Sequence, residues 1–467
     1  MCSKFDNLVF DEGAIMVDTD KVKDASKGAL IVLFLVTMID MIGFGIVIPF
    51  LTYLVEDLAG SEGVTEIGLW VGLLMTSYSA AQFLFSPFWG SLSDRIGRRP
   101  VLMVGLIGNT VFFALFGLSN TLLMALGARF LAGVFNGNIA VARAYIGDVS
   151  NPQQLATRMG LIGAAFGLGF TIGPFLGGEL SAPALRWETF QGTIFETYPY
   201  LLPCVLASVL STVSLLIAIR NLPESLTPEM RKVDTSRTWK KQMKNMYVNS
   251  KKMLGEGSIA LIIWVAMLFT FGFTIMHAIF ILFTGMPTVD GGLGFNEADN
   301  GRIFAMIGVT GIITQGFLIG PMTKRFGSRK LLTFAALLTG AGLVLIPYSQ
   351  PEYAWIHILS VTGLLSIGSG LFQPSSSTLL AQFAKAEGYE LGVVMGANES
   401  LGAFARILGP ISGGIVWVMT SSGTYPWDYH TAFHLCGLLM LCSALLSLKL
   451  SDAELIDANN TNSSQEE

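Results

Sequence analysis

Four ionisable side chains interrupt long apolar stretches of the sequence, and residues of this kind handle charge and protons. Asp40 and Arg129 lie in separate apolar runs, and Glu399 and Arg406 lie seven residues apart in a third. A charged group in hydrocarbon is costly, so each needs a partner, a water-filled cavity or a function. Burial favours the neutral form of a carboxylate and a nearby arginine favours its charged form, so small movements can load or release a proton.

Asp40 and Arg129 are expected at similar depths in a membrane. A helical rise of about 1.5 Å per residue puts Asp40 about 18 Å from the inner end of the first span. By the same count Arg129 lies about 13 Å from the outer end of the fourth span. In a hydrocarbon core of about 30 Å those depths coincide. We therefore predict that Asp40 is the protonated group and that Arg129 is its counter-charge. The alternative is a permanent structural ion pair.

Glu399 and Arg406 are predicted to share one face of a helix, two turns apart. We expect Glu399 about 12–15 Å from the nearer membrane surface, either as a second protonation or cation-binding group or as part of a stabilising charge network. Arg143 is expected at the inner membrane interface, where it snorkels or contacts a loop, with substrate binding as the alternative. His277, near the outer membrane edge, and Arg302, near the start of the eighth span, are expected to be membrane-interface residues. Uncharged polar residues are expected to line the same cavity as Arg406 or to join helices: Gln82, Asn136, Asn138, Gln315, Gln373 and Asn398.

These residues belong to an unusually apolar chain of 467 residues, which is 52% hydrophobic and 13% charged, with a mean hydropathy of +0.59. A soluble domain carries roughly 25% charged residues, whereas a membrane-spanning helix needs about 20 apolar residues. The chain is therefore predicted to be an all-α membrane protein with twelve transmembrane helices. The expected spans are 29–54, 68–92, 100–118, 121–147, 157–180, 199–220, 257–285, 300–323, 330–348, 353–382, 391–419 and 431–450.

The placement of Lys and Arg predicts the orientation of these spans. If the amino terminus is cytoplasmic, nearly all basic loop residues fall on the inner side and Arg186 alone falls outside, as the positive-inside rule requires. Both termini are therefore expected in the cytoplasm, with the chain in the plasma membrane. The predicted divisions are a tail (1–28), a six-helix bundle (29–220), a cytoplasmic linker with a basic amphipathic helix (221–256), a second bundle (257–450) and a tail (451–467).

The two predicted bundles repeat two motifs. Gly90-Ser-Leu-Ser-Asp94-Arg95 recurs in altered form from Gly320, and Gly173-Pro174-Phe-Leu-Gly177-Gly178 recurs from Gly409 as Gly-Pro-Ile-Ser-Gly-Gly. Internal repeats in a transporter place a shared cavity at their interface, and rocking of the halves gives alternating access. Two pseudo-symmetric six-helix bundles are therefore expected.

The loop after the second span closely resembles the signature loop of the major facilitator superfamily. We expect it to latch one state of a rocking transporter, with the Asp94 carboxylate meeting backbone NH groups and an arginine, and with the arginines at the cytoplasmic surface. Asp148 and Arg158 are expected to join it. The gating-loop residues are Gly90, Asp94, Arg95, Gly97, Arg98, Arg99 and Asp148.

The fifth span resembles the antiporter motif of proton-coupled drug exporters, through Gly169, Gly173, Pro174, Gly177 and Gly178. The alternative is a kinked packing helix, because proline removes a helical hydrogen bond and glycine permits close packing.

Most of the amino-terminal half, including the segment from Thr37 to Pro49, is similar to the tetracycline/proton antiporter group. Phe112, Gly311 and Thr339 stand where that group has an acid, a histidine and an acid. The resemblance thus implies export of another amphiphile.

The sequence predicts a secondary transporter, driven by a proton gradient without a cofactor. Its expected partners are a small-molecule substrate, protons and the lipid bilayer, with no nucleic acid, and we expect it to work as a monomer. We expect a proton-coupled antiporter that exports small amphiphilic or drug-like compounds. The alternatives are a symporter or facilitator for a sugar, organic acid or other metabolite, and a non-transporting receptor. No phosphate-binding GxxxxGK[ST] loop, HExxH or GxSxG motif is present, so we expect neither an enzyme nor a metal site.

Overall fold

A computed structural model of the protein describes residues 27–150, 152–226, 244, 247–248, 250–255, 257–389 and 391–450. In this part of the chain twelve helices are long and apolar enough to span a membrane, as predicted. They are α1 (Gly28–Glu62), α2 (Ile67–Ile96), α3 (Arg98–Gly117), α4 (Leu122–Asp148), α5 (Arg158–Leu180), α6 (Leu201–Asn221), α7 (Ser258–Gly285), α8 (Glu297–Phe326), α9 (Ser328–Tyr348), α10 (Pro351–Ala386), α11 (Leu391–Thr420) and α12 (Tyr429–Ser447).

Several spans are interrupted, and the sequence explains where. In α1 the helix Lys27–Ile46 ends before Val47, and a second helix, Ile48–Glu62, follows. The second residue of this second helix is Pro49, which lacks a backbone NH group. In α4 the helices Leu122–Phe135 and Asn138–Asp148 are separated by two residues. Polar backbone groups at such breaks are tolerated in a membrane only where protein or water surrounds them.

The two halves of the chain use the same packing scheme. In the first half α1 packs on α5 and α6, α2 packs on α4, and α3 packs on α6. In the second half α7 packs on α11 and α12, α8 packs on α10, and α9 packs on α12. The fold is therefore a pair of pseudo-symmetric six-helix bundles, and α2 meets α11 and α5 meets α8 between them.

The bundles contact each other through glycine on one face. We call the side on which α1 begins and α12 ends the termini face, and the other side the distal face. A Cβ atom added to Gly178 of α5 would lie 2.9 Å from the Cα of Gly301, and one added to Gly72 of α2 would lie 2.9 Å from the Cα of Ile411. Only small residues allow helix backbones this close. Both contacts lie toward the distal face, which is therefore closed.

The halves are separated at the termini face. Glycines toward this face in α5, α8 and α11 have open space around them, since an added Cβ would meet no atom within 4 Å: Gly160, Gly163, Gly316 and Gly396. Here the halves approach through Arg143 and Glu399, whose charged atoms are 4.0 Å apart. The structure is thus open toward the termini face.

The linker prediction falls largely outside the described residues. Within 221–256, Lys244, Tyr247, Val248 and 250–253 are helical. Tyr247 is exposed and Met253 is buried. The amphipathic helix and the predicted domain boundaries stay predictions.

Replacing Gly178 by alanine is expected to open the distal face, because the new Cβ would press on the backbone of α8. Spin labels on cysteines introduced at the exposed Glu188 and Asp290, in a background without native cysteines, report the distance between the halves on this face. We expect their mean separation to grow by about 2 Å, measured by double electron–electron resonance. Gly160→Ala is the matched control. Equal label-to-label distances in both variants would contradict the glycine-mediated contact between the halves at Gly72 and Gly178, which we call the distal seam.

Candidate functional site

Asp40 lies in a buried polar cluster of the first half. It is 1% exposed, and Asn109 of α3 donates from Nδ2 to its Oδ1 at 2.9 Å. Its other oxygen, Oδ2, has no hydrogen-bond partner among the described residues. Asn138 is also buried and its side chain lies beside the same carboxylate, although neither of its polar atoms makes a hydrogen bond of normal geometry among the described residues. It packs on Gly105, one turn from Asn109 on the same face of α3. Oδ2 of Asp40 is therefore buried without a hydrogen bond of normal geometry among the described residues, with Asn138 as a neighbour of the carboxylate.

Arg129 is buried beside aromatic rings rather than beside Asp40. Its Cζ lies 4.6 Å from the centroid of the Tyr78 ring and 5.6 Å from that of Phe116, a geometry in which the ring faces attract the cation. No ion pair joins Arg129 to Asp40 within 4.0 Å in the described part of the chain. The predicted pairing is therefore wrong for this conformation, because Asn109 binds the carboxylate and the guanidinium stacks on Tyr78.

Besides Asn138, two of the predicted cavity residues extend the polar cluster. Asn136, at the break in α4, donates from Nδ2 to the Tyr78 hydroxyl, and Gln82 donates from Nε2 to Asn136 Oδ1 at 3.4 Å. The others lie apart from it. Gln315 and Gln373 are exposed and Asn398 is half-buried.

Glu399 and Arg406 pair along α11, as their spacing indicates, and a third residue joins them from the other half. Arg406 Nη2 lies 3.4 Å from Glu399 Oε2, and Arg143 Nη1 of α4 lies 4.0 Å from Glu399 Oε1. The side chains are 45%, 58% and 48% exposed for Arg406, Glu399 and Arg143. Arg143 thus faces α11 across the gap between the halves, and its expected snorkelling or loop-contacting role stays a prediction.

A band of aromatic rings crosses between the halves. Phe44 lies 5.4 Å from Tyr78 and 6.1 Å from Phe170, measured between ring centroids. Phe170 of α5 lies 6.4 Å from the His277 ring of α7, which contacts Phe273 at 4.8 Å. His277 thus lies between the halves, and its expected position at the membrane interface stays a prediction. We call Phe44, Phe170, Phe273 and His277 the aromatic band.

A buried arginine organises the loop between α2 and α3. Arg98 is 7% exposed, its Nη1 lies 2.6 Å from Asp94 Oδ1, and its Nε donates to Asp148 Oδ2 at 3.0 Å. Arg158 donates to the Val149 carbonyl nearby. The structure thus joins Asp94, Arg98 and Asp148. It places Arg98 inside the loop rather than at the surface, because two carboxylates neutralise it there.

Glu224 completes this loop and was not anticipated from the sequence. Its carboxylate accepts from the backbone NH of Arg98 at 2.8 Å and from that of Arg99 at 3.2 Å. These are the first NH groups of α3, where a negative charge is favourable. The sequence assigns this role to Asp94, whereas the structure assigns it to Glu224. An acid shortly after α6 was the available signal. Gly97, between α2 and α3, has φ 111°, which favours glycine, Gly90 has open space around it, and Arg95 is exposed.

Polar groups close the distal seam beside the glycines. Arg302 Nε lies 2.6 Å from Glu179 Oε1 across the halves, and its expected position at the membrane interface stays a prediction. Tyr53 donates to the Phe295 carbonyl at 2.7 Å. Tyr200 donates to Asp57 at 2.9 Å. The first two contacts join α5 and α1 of the first half to α8 and the loop before it in the second half. The third joins the residue before α6 to α1 within the first half.

Comparison with known proteins finds a family model that matches most of the chain. The family model described as Major Facilitator Superfamily matches residues 33–387 and 293–464. Protein ZINC INDUCED FACILITATOR 1 of Arabidopsis thaliana is 27% identical over 428 residues, which cover 86% of this chain and 87% of that protein. Tetracycline resistance protein, class C, of Escherichia coli is 26% identical over 403 residues, covering 86% and 92%.

The solved structures agree on the fold. The crystal structure of the human organic anion transporter MFSD10 (TETRAN) matches with a TM-score of 0.61 and 23% identity, over 90% of this chain and 99% of that one. At this identity the likeness shows the fold.

Replacing Glu224 by alanine is expected to destabilise the protein by about 1–2 kcal/mol, because two NH groups at the start of α3 lose their acceptor. The measurement is the thermal unfolding midpoint of the purified protein in detergent. Glu224→Gln keeps one good acceptor and is expected to lose about half as much. Glu352→Ala, at an exposed glutamate in the first turn of α10, is the control. If both alanine variants unfold at the wild-type temperature, the cap assignment fails.

Proposed function

The chain belongs to the major facilitator superfamily and is a multi-pass membrane transporter, and we propose that it is a proton-coupled antiporter which exports small amphiphilic compounds by alternating access. The observation that carries this proposal is the state of Asp40. It is a buried carboxylate in a membrane span with one oxygen unbound among the described residues. An intramembrane acid of this kind is most simply explained as a site that gains and loses a proton.

The shape of the molecule supports alternating access. The halves touch at Gly72 and Gly178 on the distal face and are separated at the termini face, so the present conformation gives access from one side. Rocking of the halves about a central site would transfer access to the other side. With both termini in the cytoplasm, as the distribution of Lys and Arg favours, this conformation receives substrate from the cell interior.

The lining of the gap supports an amphiphilic substrate. The aromatic band offers ring faces between the halves, and Arg143, Glu399 and Arg406 place charged groups at the gap. A site with apolar walls and a few polar groups suits a small organic molecule. The name of the tetracycline resistance relative favours export, whereas Phe112, Gly311 and Thr339 lack the ionisable groups expected for tetracycline itself.

The energy would come from the proton gradient, with no cofactor. Each proton that moves inward releases about 2.3 kcal/mol per 100 mV of membrane potential. We propose that Asp40 carries this proton and that a single chain suffices. The plasma membrane is the location that we propose.

The test is proton movement in proteoliposomes that contain a pH-sensitive dye, after addition of a panel of lipophilic cations, antibiotics, organic acids and sugars. We expect an amphiphile to drive proton movement in wild-type protein, and Asp40→Asn to lower that movement by about tenfold or more while exchange of substrate without a gradient continues.

Asp290→Asn, at an exposed distal loop residue, is the matched control and should behave as wild type. An Asp40→Asn protein with full proton dependence would exclude the coupling role. If right-side-out vesicles, rather than inverted ones, took up the substrate, the antiport proposal would be replaced by import of the substrate together with protons.

A further inference from the structure

The trio of Arg143, Glu399 and Arg406 spans the gap between the halves. Arg143 belongs to α4 of the first half, while Glu399 and Arg406 belong to α11 of the second. The contact distances are 4.0 Å and 3.4 Å, and each side chain is about half exposed. Because Arg143 and Glu399 meet from opposite halves, both side chains lie at the space between the halves.

The trio lies deep in this space. Glu399 is about 12 Å, and Arg406 about 22 Å, along α11 from its start at Leu391. The residue after Arg406, Ile407, accepts a hydrogen bond from Thr76 of α2 at 2.7 Å, which is part of the closed distal seam. Arg406 is therefore at the closed end of the gap, and Glu399 lies below it toward the termini face.

The charges of the trio are unbalanced. Two guanidinium groups share one carboxylate, so the formal charge of the group is positive by one. Charge-assisted hydrogen bonds are typically about 2.7–2.9 Å long, and both contacts here are longer. Neither arginine has another ion pair or hydrogen bond among the described residues. Each planar guanidinium thus keeps paired donors that match a carboxylate, sulfonate or phosphate.

We propose that the gap binds a small organic anion whose acidic group is held between Arg143 and Arg406 and displaces Glu399 from them. Its apolar part then extends from Arg406 toward the aromatic band, which is centred at a similar depth by the same count along the helices. An anion held in this way bonds to both halves at once, and this favours closure of the termini face. The proposal names the substrate class of the transporter proposed above and rests on that function.

The test measures binding to the purified protein in detergent with three naphthalene probes that differ in one group: 2-naphthoate, neutral 2-naphthamide and cationic 2-naphthylmethylammonium. We expect wild-type protein to bind the naphthoate about tenfold more tightly than the amide. Arg143→Gln and Arg406→Gln should each weaken naphthoate binding by about tenfold and leave amide binding nearly unchanged.

Glu399→Gln separates this proposal from a cation site. It removes the competing carboxylate while preserving shape, so naphthoate should bind several-fold more tightly. Arg143→Lys and Arg406→Lys keep the charge but lose the planar fork, and they should recover part of the affinity. Arg220→Gln, at the exposed end of α6, is the matched control and should bind all probes as wild type.

Equal binding of naphthoate and amide, or weaker naphthoate binding in Glu399→Gln, would overturn the proposal. Tightest binding of the ammonium probe, lost in Glu399→Gln, would show a cation-binding carboxylate instead. Amide binding confirms that each variant is folded. The two proposals fail separately: naphthoate bound through the arginines without proton movement in vesicles would refute only the antiporter.

Discussion

Direct contact between helix backbones on the distal face is the constraint that positions the rest of the molecule. Gly72 and Gly178 allow α2 to meet α11 and α5 to meet α8 at distances that no side chain permits. With the halves joined there, the space between them widens toward the termini face. Arg143 and Glu399 then face each other across that space, and the aromatic band crosses where it narrows. The site is thus formed by the seam, since no single half contains all of its groups.

The spans could be predicted closely from the sequence because the bilayer leaves few choices. A chain in hydrocarbon must satisfy every backbone polar group within itself, so an apolar run of sufficient length becomes a helix. Length and hydropathy predict α3 at 100–118, and it runs Arg98–Gly117. The internal repeat likewise predicts paired halves, and both copies of the Gly-Pro-x-x-Gly-Gly motif lie in the seam, at Gly178 and at Gly414 against Gly68.

The site was less accessible to sequence reasoning, because depth along a helix can be counted but direction around it depends on packing. Asp40 and Arg129 are both buried as expected, yet one meets Asn109 and the other meets Tyr78. The partnership of Arg143 with Glu399 joins residues in different halves and leaves no local pattern. Glu399 with Arg406 was predictable because both lie on one helix, where spacing fixes the shared face.

The break in α4 puts its two arginines, Arg129 and Arg143, on separate helical segments. A helix transmits rotation only as far as its hydrogen-bond ladder continues, and the ladder stops at Phe135 and restarts at Asn138. A rotation of the shorter segment would therefore leave Arg129, on the distal segment, in place. That shorter segment carries Arg143 and, about 8 Å further along, Asp148, which binds Arg98 in the loop. A ligand bound at Arg143 would thus act on the loop through one helix about three turns long. Arg129, stacked on Tyr78 in the other segment, would keep its position.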